Sequence, residues 1–432
     1  MSDLLAKIEN KSAKVAILGL GYVGLPLATE FNSKGFSVIG IDVNEERVDS
    51  INRGISFITD VPSELLAGFV DRKLLHASTD FGQLQEADCI CICVPTPLRK
   101  TKDPDISYIM MVVEKIKETL RPGQLIVLES TTYPGTTDEL LLPEFESTGM
   151  QVGKDFYLAF SPERVDPGNK EFTTANTPKI IAGITPECSE AAGRLYEKII
   201  EKVIVVSSTK SAEMVKLLEN TFRAVNIGLV NEIAIMCDRL GVDTWEVINA
   251  AATKPYGFMP FYPGPGLGGH CIPIDPLYLS WKLKTLNYNA RFIELASEIN
   301  SNMPLYVVRK ITSALNGRRK SVNGSQIVIL GIAYKKDISD VRESPALDIM
   351  TMLKEMGANL TYHDPFVPEV RIANGIMKSA DFNAELLSGS ACTVIVADHS
   401  SYDWQFVVDH SNLIVDTRNA THPIKNTKIA KI

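Results

Sequence analysis

The chain has 432 residues, of which 45% are hydrophobic and 22% charged, and its formal net charge is −8. This length and composition predict a globular protein of two or three domains, and the negative charge disfavours binding to nucleic acid or to an anionic membrane surface. Because the sequence has no apolar run of about 18 residues and its N-terminus lacks the apolar core of a signal peptide, we expect a soluble, cytoplasmic protein without a membrane span.

The cysteine pattern favours a reduced protein without a disulfide framework. Three of the seven cysteines, Cys89, Cys91 and Cys93, alternate along one apolar run. In a strand, these three side chains point to the same face. Metal sites prefer two residues between paired cysteines. The alternation therefore predicts core packing, and we expect no metal site.

The first predicted elements are a strand, a glycine-rich turn, a helix and a second strand. They cover Lys14–Leu18, the turn Gly-Leu-Gly-Tyr-Val-Gly, Leu25–Lys34 and Ser37–Ile41, and Asp42 follows directly. In such a unit the pyrophosphate of a dinucleotide lies on the helix N-terminus and the acid binds the ribose hydroxyls. The turn residues predicted to contact the dinucleotide are Gly19, Gly21, Tyr22, Val23 and Gly24.

The acid at position 42 also indicates which dinucleotide is bound. Asp42 follows Gly24 by 18 residues, near the spacing expected for a ribose-binding acid. A carboxylate there repels a 2′-phosphate, so NAD is favoured over NADP. An ordinary βαβ crossover without a nucleotide is the less favoured alternative.

Further apolar runs alternate with helical stretches, which is typical of a doubly wound parallel sheet. Polar residues follow these runs, at the strand ends where such sheets bind ligands. Glu163, in Ser-Pro-Glu-Arg, is therefore a candidate active-site base, and an ordinary surface acid is the alternative. The runs are Cys89–Val94, Leu125–Glu129, Tyr157–Ser161 and Ile180–Gly183.

A long helical pattern follows over Ser211–Leu240. Lys216 and Asn220 are four residues apart in it and share one face of the helix. Because this helix is long and largely apolar, it is suited to connecting two domains and to forming the seam of a dimer.

The segment Phe261–Asp275 combines several glycines with one cysteine and one acid. Asp275 follows Cys271 by four residues, which is one turn if the segment is helical. Glycine lets backbone run close to a ligand, and a thiol near a carboxylate is suited to covalent catalysis. From these residues alone, a Gly/Pro loop that holds a buried cysteine is an equally good interpretation. The glycines are Gly264, Gly266, Gly268 and Gly269.

The last part of the chain predicts a second α/β domain. A helix over Phe292–Asn302 and a polar linker over Asn316–Gly324 precede it. Its first turn, Gly-Ile-Ala-Tyr-Lys-Lys-Asp, follows the strand Gln326–Leu330 and lacks the three-glycine pattern, while its lysines suggest phosphate binding. The other predicted elements are strands over Asn359–Tyr362, Thr393–Val396 and Leu413–Val415 and a helix over Pro345–Met356.

The predicted fold class is therefore α/β, with two Rossmann-like doubly wound domains joined by a long central helix. The predicted domains are an NAD-binding domain over 1–208, a central helical dimerisation region with the cysteine loop over 209–302, and a Rossmann-like domain over 303–432 for a phosphate-bearing ligand, which the family resemblance described next implies to be a nucleotide sugar.

With these residues in place, the sequence resembles the nucleotide-sugar 6-dehydrogenases, the UDP-glucose/GDP-mannose dehydrogenase superfamily, over nearly its whole length. The resemblance rests on the joint occurrence, in order, of Gly-Leu-Gly-Tyr-Val-Gly, Val-Pro-Thr-Pro, Glu-Ser-Thr-Thr-Tyr-Pro-Gly-Thr-Thr, Ser-Pro-Glu-Arg, Lys-Leu-Leu-Glu-Asn, Gly-Gly-His-Cys-Ile-Pro-Ile-Asp and Tyr-Lys-Lys-Asp-Ile-Ser-Asp-Val-Arg-Glu-Ser.

The resemblance implies a four-electron oxidation of a sugar C6 hydroxyl to a carboxylate with two NAD⁺, and a homodimer or larger homo-oligomer. It makes Cys271 the nucleophile, with Lys216 and Asn220 holding the C6 oxygen. Proton transfer and water positioning fall to Glu163, Asp275 and Thr131. Beyond the glycine turn, NAD contacts are implied for Asp42, Arg47, Thr96, Thr131 and Arg342. The implied substrate-binding residues are Glu163, Lys216, Asn220, Tyr262, Gly264, Gly266, Leu267, Gly268 and Lys335.

One departure from the family bears on the substrate. Many UDP-glucose dehydrogenases have an arginine shortly before the cysteine that reaches into the partner subunit's site, and the corresponding stretch Lys254–Pro260 has none. The cysteine loop resembles instead the branch that oxidises UDP-N-acetylglucosamine for surface-polysaccharide synthesis. UDP-glucose and UDP-N-acetylmannosamine stay open as alternative substrates.

Two other kinds of protein share parts of this pattern. A non-catalytic nucleotide-sugar-binding protein would have no need to keep Cys271, Lys216, Asp275 and Glu163 together. A hydroxyacid dehydrogenase needs no nucleophilic cysteine, and it leaves the second α/β half unexplained.

Overall fold

A computed structural model describes residues 1–58, 60–99, 101, 103–165, 169, 171–372 and 375–432. The chain divides into two compact units. Unit 1 comprises Met1–Glu219 and Leu277–Tyr288, and unit 2 comprises Asn220–Pro276 and Asn289–Ile432. In this described part of the chain, none of the helices combines the length and apolarity needed to cross a bilayer.

Unit 1 is built on one sheet. Its strands, in the residues described, are β1 (Lys14–Leu18), β2 (Ser37–Ile41), β3 (Leu75–Ser78), β4 (Cys89–Ile92), β5 (Leu125–Leu128), β6 (Tyr157–Phe160), β7 (Lys179–Gly183) and β8 (Val203–Val205). They lie in the order β3-β2-β1-β4-β5-β6-β7-β8, and all neighbours are parallel except β6 and β7. The order reverses between β1 and β4, which is where a doubly wound sheet binds its ligand.

Both faces of the inner strands of this sheet, such as β4, β5 and β6, are buried, because these strands are apolar on both sides. Cys89, Cys91 and Cys93 pack in one core cluster, while Ile90 and Ile92 belong to the other. The prediction that the three cysteines pack in the core is confirmed. The helices of this part of the chain are α1 (Ser2–Glu9), α2 (Gly24–Ser33), α3 (Glu45–Asn52), α4 (Ser63–Asp71), α5 (Ser107–Thr119), α6 (Leu142–Glu146) and α7 (Pro186–Tyr196), with a 3₁₀ helix over Phe81–Glu86 and a π-helix over Thr136–Leu141.

Three helices follow in the middle of the chain: α8 (Thr209–Leu240), α9 (Thr244–Ala252) and α10 (Asp275–Lys284). The boundary between the two units falls after Glu219, within the long helix α8, so this helix runs from unit 1 into unit 2. The structure therefore confirms a long central helix that joins two α/β parts of the chain.

Unit 2 contains a second parallel sheet. From residue 291 onward, its elements among the described residues are α11 (Arg291–Gly317), β9 (Gln326–Leu330), α12 (Pro345–Glu355), β10 (Asn359–His363), β11 (Glu369–Ile372), β12 (Gly375–Lys378), α13 (Ala384–Ser388), β13 (Cys392–Ile395), α14 (Trp404–His410), β14 (Ile414–Asp416) and β15 (Ile429–Lys431). The sheet order is β10-β9-β13-β14-β15, all parallel, while β11 and β12 form a separate hairpin. The predicted fold class is confirmed.

The helix predicted over Phe292–Asn302 is too short, since α11 continues to Gly317 through Pro304. Proline removes a helical hydrogen bond, but apolar residues continue beyond it at helical spacing. Val307, Ile311 and Leu315 are fully buried in the core of unit 2. Burial of this stripe outweighs the local cost of the proline.

Candidate active site

The glycine turn after β1 fits a dinucleotide pyrophosphate. Gly19 has a φ of 92°, and a side chain there would meet the Cys93 carbonyl oxygen at 2.7 Å. Gly24 begins α2, and a Cβ on it would lie only 1.8 Å from the Gly19 oxygen. A Cβ on Gly21 would have no atom within 4 Å. Two glycines are therefore required by the turn itself, while Gly21 leaves open space at the helix N-terminus.

The acid at the end of β2 completes this half of the site. Asp42 is buried, and its Oδ2 accepts a 2.9 Å hydrogen bond from the Leu20 N–H in the glycine turn. Its Oδ1 accepts from the Asn44 N–H at 2.9 Å, and the Arg47 guanidinium lies 3.6 Å from Oδ2. The acid thus lies beside the turn, as ribose binding requires. Tyr22 is exposed and Val23 is half-buried at the start of the helix.

The ends of β4 and β5 are tied together by Ser130. Its hydroxyl donates to the Val94 carbonyl at 2.8 Å, and the buried Thr96 follows Val94 by two residues. Thr131 follows and is half-buried.

The loop beyond Thr131 is fastened to the start of α8 by one carboxylate. Glu213 accepts hydrogen bonds from the Gly135 N–H at 2.6 Å, the Thr137 N–H at 2.9 Å and the Thr137 hydroxyl at 2.8 Å. Burial raises the pKa of Glu213 to about 7, against the lowering effect of these donors.

Glu163 and Lys216 lie together in unit 1. The Lys216 Nζ donates a 2.6 Å hydrogen bond to the Glu163 main-chain oxygen, and Lys216 is buried. The Glu163 Oε1 accepts from the Arg164 and Val165 N–H groups at 2.8 and 2.7 Å. The alternative of an ordinary surface acid does not fit, because Glu163 is bound to the Lys179 ammonium at 3.4 Å and only 15% of its side chain is exposed.

Cys271, Asp275 and Asn220 lie together in unit 2. Cys271 is exposed, whereas the other six cysteines are buried, so the interpretation as a buried cysteine is wrong. The Asp275 N–H donates to the Cys271 carbonyl at 2.8 Å, which places the acid one turn after the thiol at the start of α10. The Asn220 side-chain amide donates to the Asp275 Oδ2 at 2.5 Å, and both groups are buried.

The glycines before Cys271 are needed first by the protein's own packing. A Cβ on Gly268 would lie 2.5 Å from the Tyr334 Cβ, and one on Gly269, at φ 84°, would lie 2.8 Å from the Tyr334 ring. Gly266 has a φ of 139°, a conformation that side chains rarely adopt. The loop is thus held closely against the turn that follows β9.

Residues missed by the sequence reasoning hold the start of this loop. The Gly264 N–H donates to Asn231 Oδ1 at 2.9 Å, and the Asn231 amide donates to Asn300 Oδ1 at 2.8 Å. A Cβ on Gly264 would lie 2.6 Å from an Arg418 guanidinium nitrogen. Arg418 lies two residues after β14. A cationic residue just after a predicted strand, where such sheets bind ligands, is the sequence pattern that could have indicated it.

Two further residues of the predicted substrate site lie in the same loop. The exposed Tyr262 stacks on Trp245 at 5.2 Å between ring centroids, and its hydroxyl donates to Asn249 at 3.0 Å. Leu267 is half-buried.

The first turn of the second sheet is organised differently from the glycine turn. Asp364, after β10, accepts from the Ile332 and Ala333 N–H groups at 2.7 and 3.0 Å and contacts the buried His399 at 3.0 Å. These N–H groups are therefore occupied and cannot bind a pyrophosphate. The half-buried Lys335 lies in this turn. Arg342 forms a forked ion pair with Asp340, with distances of 2.7–3.0 Å.

These features define the class of the protein. A parallel sheet with an NAD-type turn, a second sheet with a basic turn and an exposed thiol in unit 2 are the parts of a nicotinamide-dependent dehydrogenase with a large second substrate. Family models specify it further. The UDP-glucose/GDP-mannose dehydrogenase family matches with its NAD binding domain at residues 13–200, its central domain at 210–302 and its UDP binding domain at 328–423. The chain belongs to this family and is an NAD-dependent UDP-sugar dehydrogenase.

Individual relatives cover most of the chain. It is 38% identical over 359 residues to a UDP-N-acetyl-D-glucosamine 6-dehydrogenase of Pseudomonas aeruginosa, covering 83% of this chain and 84% of the relative. It is 38% identical over 394 residues to a UDP-N-acetyl-D-mannosamine dehydrogenase of Methanococcus maripaludis, covering 90% and 87%. The solved structure of a UDP-D-ManNAc dehydrogenase from Pyrococcus horikoshii is similar with a TM-score of 0.89 and 32% identity, covering 97% of this chain and 99% of that one.

Proposed function

We propose that this chain oxidises the C6 hydroxyl of UDP-N-acetylglucosamine to the carboxylate, in two successive NAD-dependent steps that serve surface-polysaccharide synthesis. The observation that carries the proposal is the exposure of Cys271 beside the Asn220–Asp275 pair. Oxidation of an alcohol to an aldehyde needs no nucleophile. Oxidation of the aldehyde to the acid needs an addition to its carbonyl carbon first, and a thiolate supplies it.

The proposed roles follow the chemistry. The Cys271 thiolate adds to the C6 aldehyde to form a thiohemiacetal, which loses a hydride to become a thioester. Water then attacks the thioester, releases the carboxylate and regenerates the thiolate. Lys216 and Asn220 stabilise negative charge on the C6 oxygen. Glu163 and Asp275 transfer protons, and Thr131 positions the water.

NAD⁺, when bound, would supply the hydride acceptor, with one molecule used for each of the two oxidations. The open space over Gly21 and the acid beside the turn fit this dinucleotide. The residues proposed to hold it are Gly19, Gly21, Tyr22, Val23, Gly24, Asp42, Arg47, Thr96, Thr131 and Arg342.

The UDP-sugar is assigned to the loop before Cys271 and the basic turn after β9. The half-buried Arg418, whose guanidinium lies next to Gly264, is suited to the diphosphate. The other proposed substrate contacts are Glu163, Lys216, Asn220, Tyr262, Gly264, Gly266, Leu267, Gly268 and Lys335.

The N-acetyl preference rests on a missing residue. The stretch Lys254–Pro260 has no arginine, and residues 253–260 are exposed. UDP-N-acetylmannosamine is the second candidate substrate, because relatives of that name are as similar to this chain as the N-acetylglucosamine enzyme.

We expect kcat/KM for UDP-N-acetylglucosamine to exceed that for UDP-glucose by at least about tenfold, which is about 1.4 kcal/mol of transition-state preference. The measurement is NADH absorbance with UDP-glucose and the N-acetyl-glucosamine, -mannosamine and -galactosamine forms. With the preferred sugar, the reaction run to completion should release two NADH per sugar.

Three outcomes of these measurements would contradict the proposal in different ways. Faster turnover of UDP-glucose contradicts the N-acetyl preference and leaves the dehydrogenase assignment intact. One NADH per sugar with an aldehyde product contradicts the thioester route. Binding of all four sugars without NADH formation identifies a non-catalytic binding protein.

The central helix supports self-association. Its exposed apolar residues recur at intervals of four and seven, which is the spacing of a helix–helix seam. We expect light scattering to give at least twice the 47.5 kDa chain mass, and Leu229→Glu to lower it. A monomeric wild type contradicts this. The residues are Leu218, Phe222, Leu229, Met236 and Leu240.

A further inference from the structure

A buried lysine reaches the loop of Glu163 because one strand of the first sheet is reversed. β7 runs antiparallel to β6, with Phe160 paired to Ala182. Lys179, the first residue of β7, therefore lies beyond the carboxyl end of β6, where the segment that carries Glu163 begins. If β7 were parallel to β6, this lysine would lie at the opposite end of the strands, next to the amino end of β6.

Lys179 links two carboxylates in the interior of unit 1. Its Nζ donates to Glu129 Oε2 at 2.5 Å and lies 3.4 Å from Glu163 Oε2. The Lys179 side chain is 5% exposed, that of Glu129 is 0% and that of Glu163 is 15%. Glu129 also accepts a hydrogen bond from the Tyr196 hydroxyl. Glu129 and Tyr196 together hold the ammonium at the Glu163 carboxylate.

The two oxygens of Glu163 have different surroundings. Oε1 is fixed by two main-chain N–H groups, while Oε2 faces Lys179. The charged and titratable side chains around this carboxylate, among the described residues of unit 1, are Lys179 on β7, Glu129 after β5, Cys93 after β4, Tyr196 on α7, Lys216 on α8, and Arg164 with its partner Glu219.

We propose that Lys179 is a positioning residue for Glu163. The Lys179 ammonium holds the Glu163 carboxylate in one orientation and in the charged form that accepts a proton. This rests on the proposed function, because the role of Glu163 is part of it. Burial raises the pKa of Glu163, but the Lys179 charge, the Val165 N–H, the Lys216 charge and the Arg164 N–H together hold it below its usual range. Of these opposing groups, Lys179 has the largest effect.

The test replaces Lys179 and Glu129 together, so that neither is left as a buried ion without the other, which would destabilise the fold. In the variant Lys179→Met/Glu129→Gln, the titration midpoint of Glu163 should rise by about one unit or more. The midpoint is followed by NMR of protein carrying ¹³C-labelled glutamate carboxyls, and the Glu163 signal is identified by its absence in Glu163→Gln. The matched control is Lys198→Met/Glu9→Gln, which removes an ion pair of the same residue types at 2.7 Å.

Turnover gives the second readout. The acidic limb of the plot of kcat against pH should move to higher pH together with the titration midpoint of Glu163. A move of one pH unit lowers kcat about tenfold at pH values below the limb. KM for the sugar nucleotide should change little. The single variant Lys179→Arg keeps a cation at this position, so its acidic limb should lie near that of the wild type. A purely structural lysine would lower the Tm and leave both the limb and the midpoint in place, which would overturn the proposal.

If the double variant does not fold, Lys179→Gln/Glu129→Gln replaces it, because two amide side chains can keep a hydrogen bond between these positions. The midpoint of Glu163 should again rise, and a midpoint that falls or stays contradicts the proposal. The NMR result does not depend on turnover. A wild type that makes no NADH from any UDP-sugar contradicts the proposed function, whereas an unmoved midpoint contradicts the role of Lys179.

Discussion

Cys271→Ser is expected to stop steady NADH formation, with kcat falling by at least about a thousandfold, or about 4 kcal/mol. At neutral pH a serine hydroxyl is a far weaker nucleophile than a thiol that is partly ionised. Cys271 is exposed, so the exchange of sulfur for oxygen leaves no buried gap. The variant should fold and bind the sugar nucleotide as the wild type does. The measurement is NADH absorbance, first under steady-state conditions and then with enzyme in excess of sugar.

The single-turnover experiment separates the two oxidations. We expect the serine variant to release at most one NADH per sugar and then stall at the aldehyde. The control is Cys237→Ser, which changes a buried cysteine on α8 and should leave turnover near wild type. Steady turnover by Cys271→Ser at a rate near wild type contradicts covalent catalysis.

Gly24→Ala is expected to destroy the dinucleotide site. The new Cβ would lie 1.8 Å from the Gly19 carbonyl oxygen and 3.0 Å from the Ile17 side chain, so the turn must move away from α2. We expect NAD affinity to fall by about a hundredfold or more, which is about 2.7 kcal/mol, together with a lower Tm. Calorimetric titration with NAD⁺ and thermal unfolding measure the two effects.

Two matched variants show whether the loss comes from the turn or from the ligand position. Gly21→Ala meets no protein atom within 4 Å, so the Tm should be kept while the methyl group lowers NAD affinity about tenfold. Gly68→Ala, inside α4, also meets no atom within 4 Å and should change neither NAD affinity nor turnover. NAD binding by Gly24→Ala at wild-type affinity would contradict the assigned turn.

The sequence determined the features that depend on local pattern. Apolar runs and turn glycines specify where strands begin and end, and β1, β2 and β9 match their predicted bounds. The NAD turn and its acid belong to one short stretch of chain, so residue spacing alone was sufficient. The edge strands β3, β8 and β15 and the hairpin β11–β12 were not predicted. They are short and partly exposed, whereas the predicted short strands β4, β5 and β6 are fully buried apolar runs. The domain boundaries and the roles of the site residues stay predictions.

Tertiary structure decided the pairs that lie far apart in the sequence. Asn220 and Asp275 are 55 residues apart and share a hydrogen bond, and Glu129 and Lys179 are 50 residues apart and form a buried ion pair. Strand order and strand direction set the Glu129–Lys179 contact, whereas the Asn220–Asp275 hydrogen bond joins helices α8 and α10, and neither arrangement is written in the local pattern. The reversal of β7 brings Lys179 to Glu163, because the direction of a strand decides whether its first residue lies at the amino or the carboxyl end of the neighbouring strand.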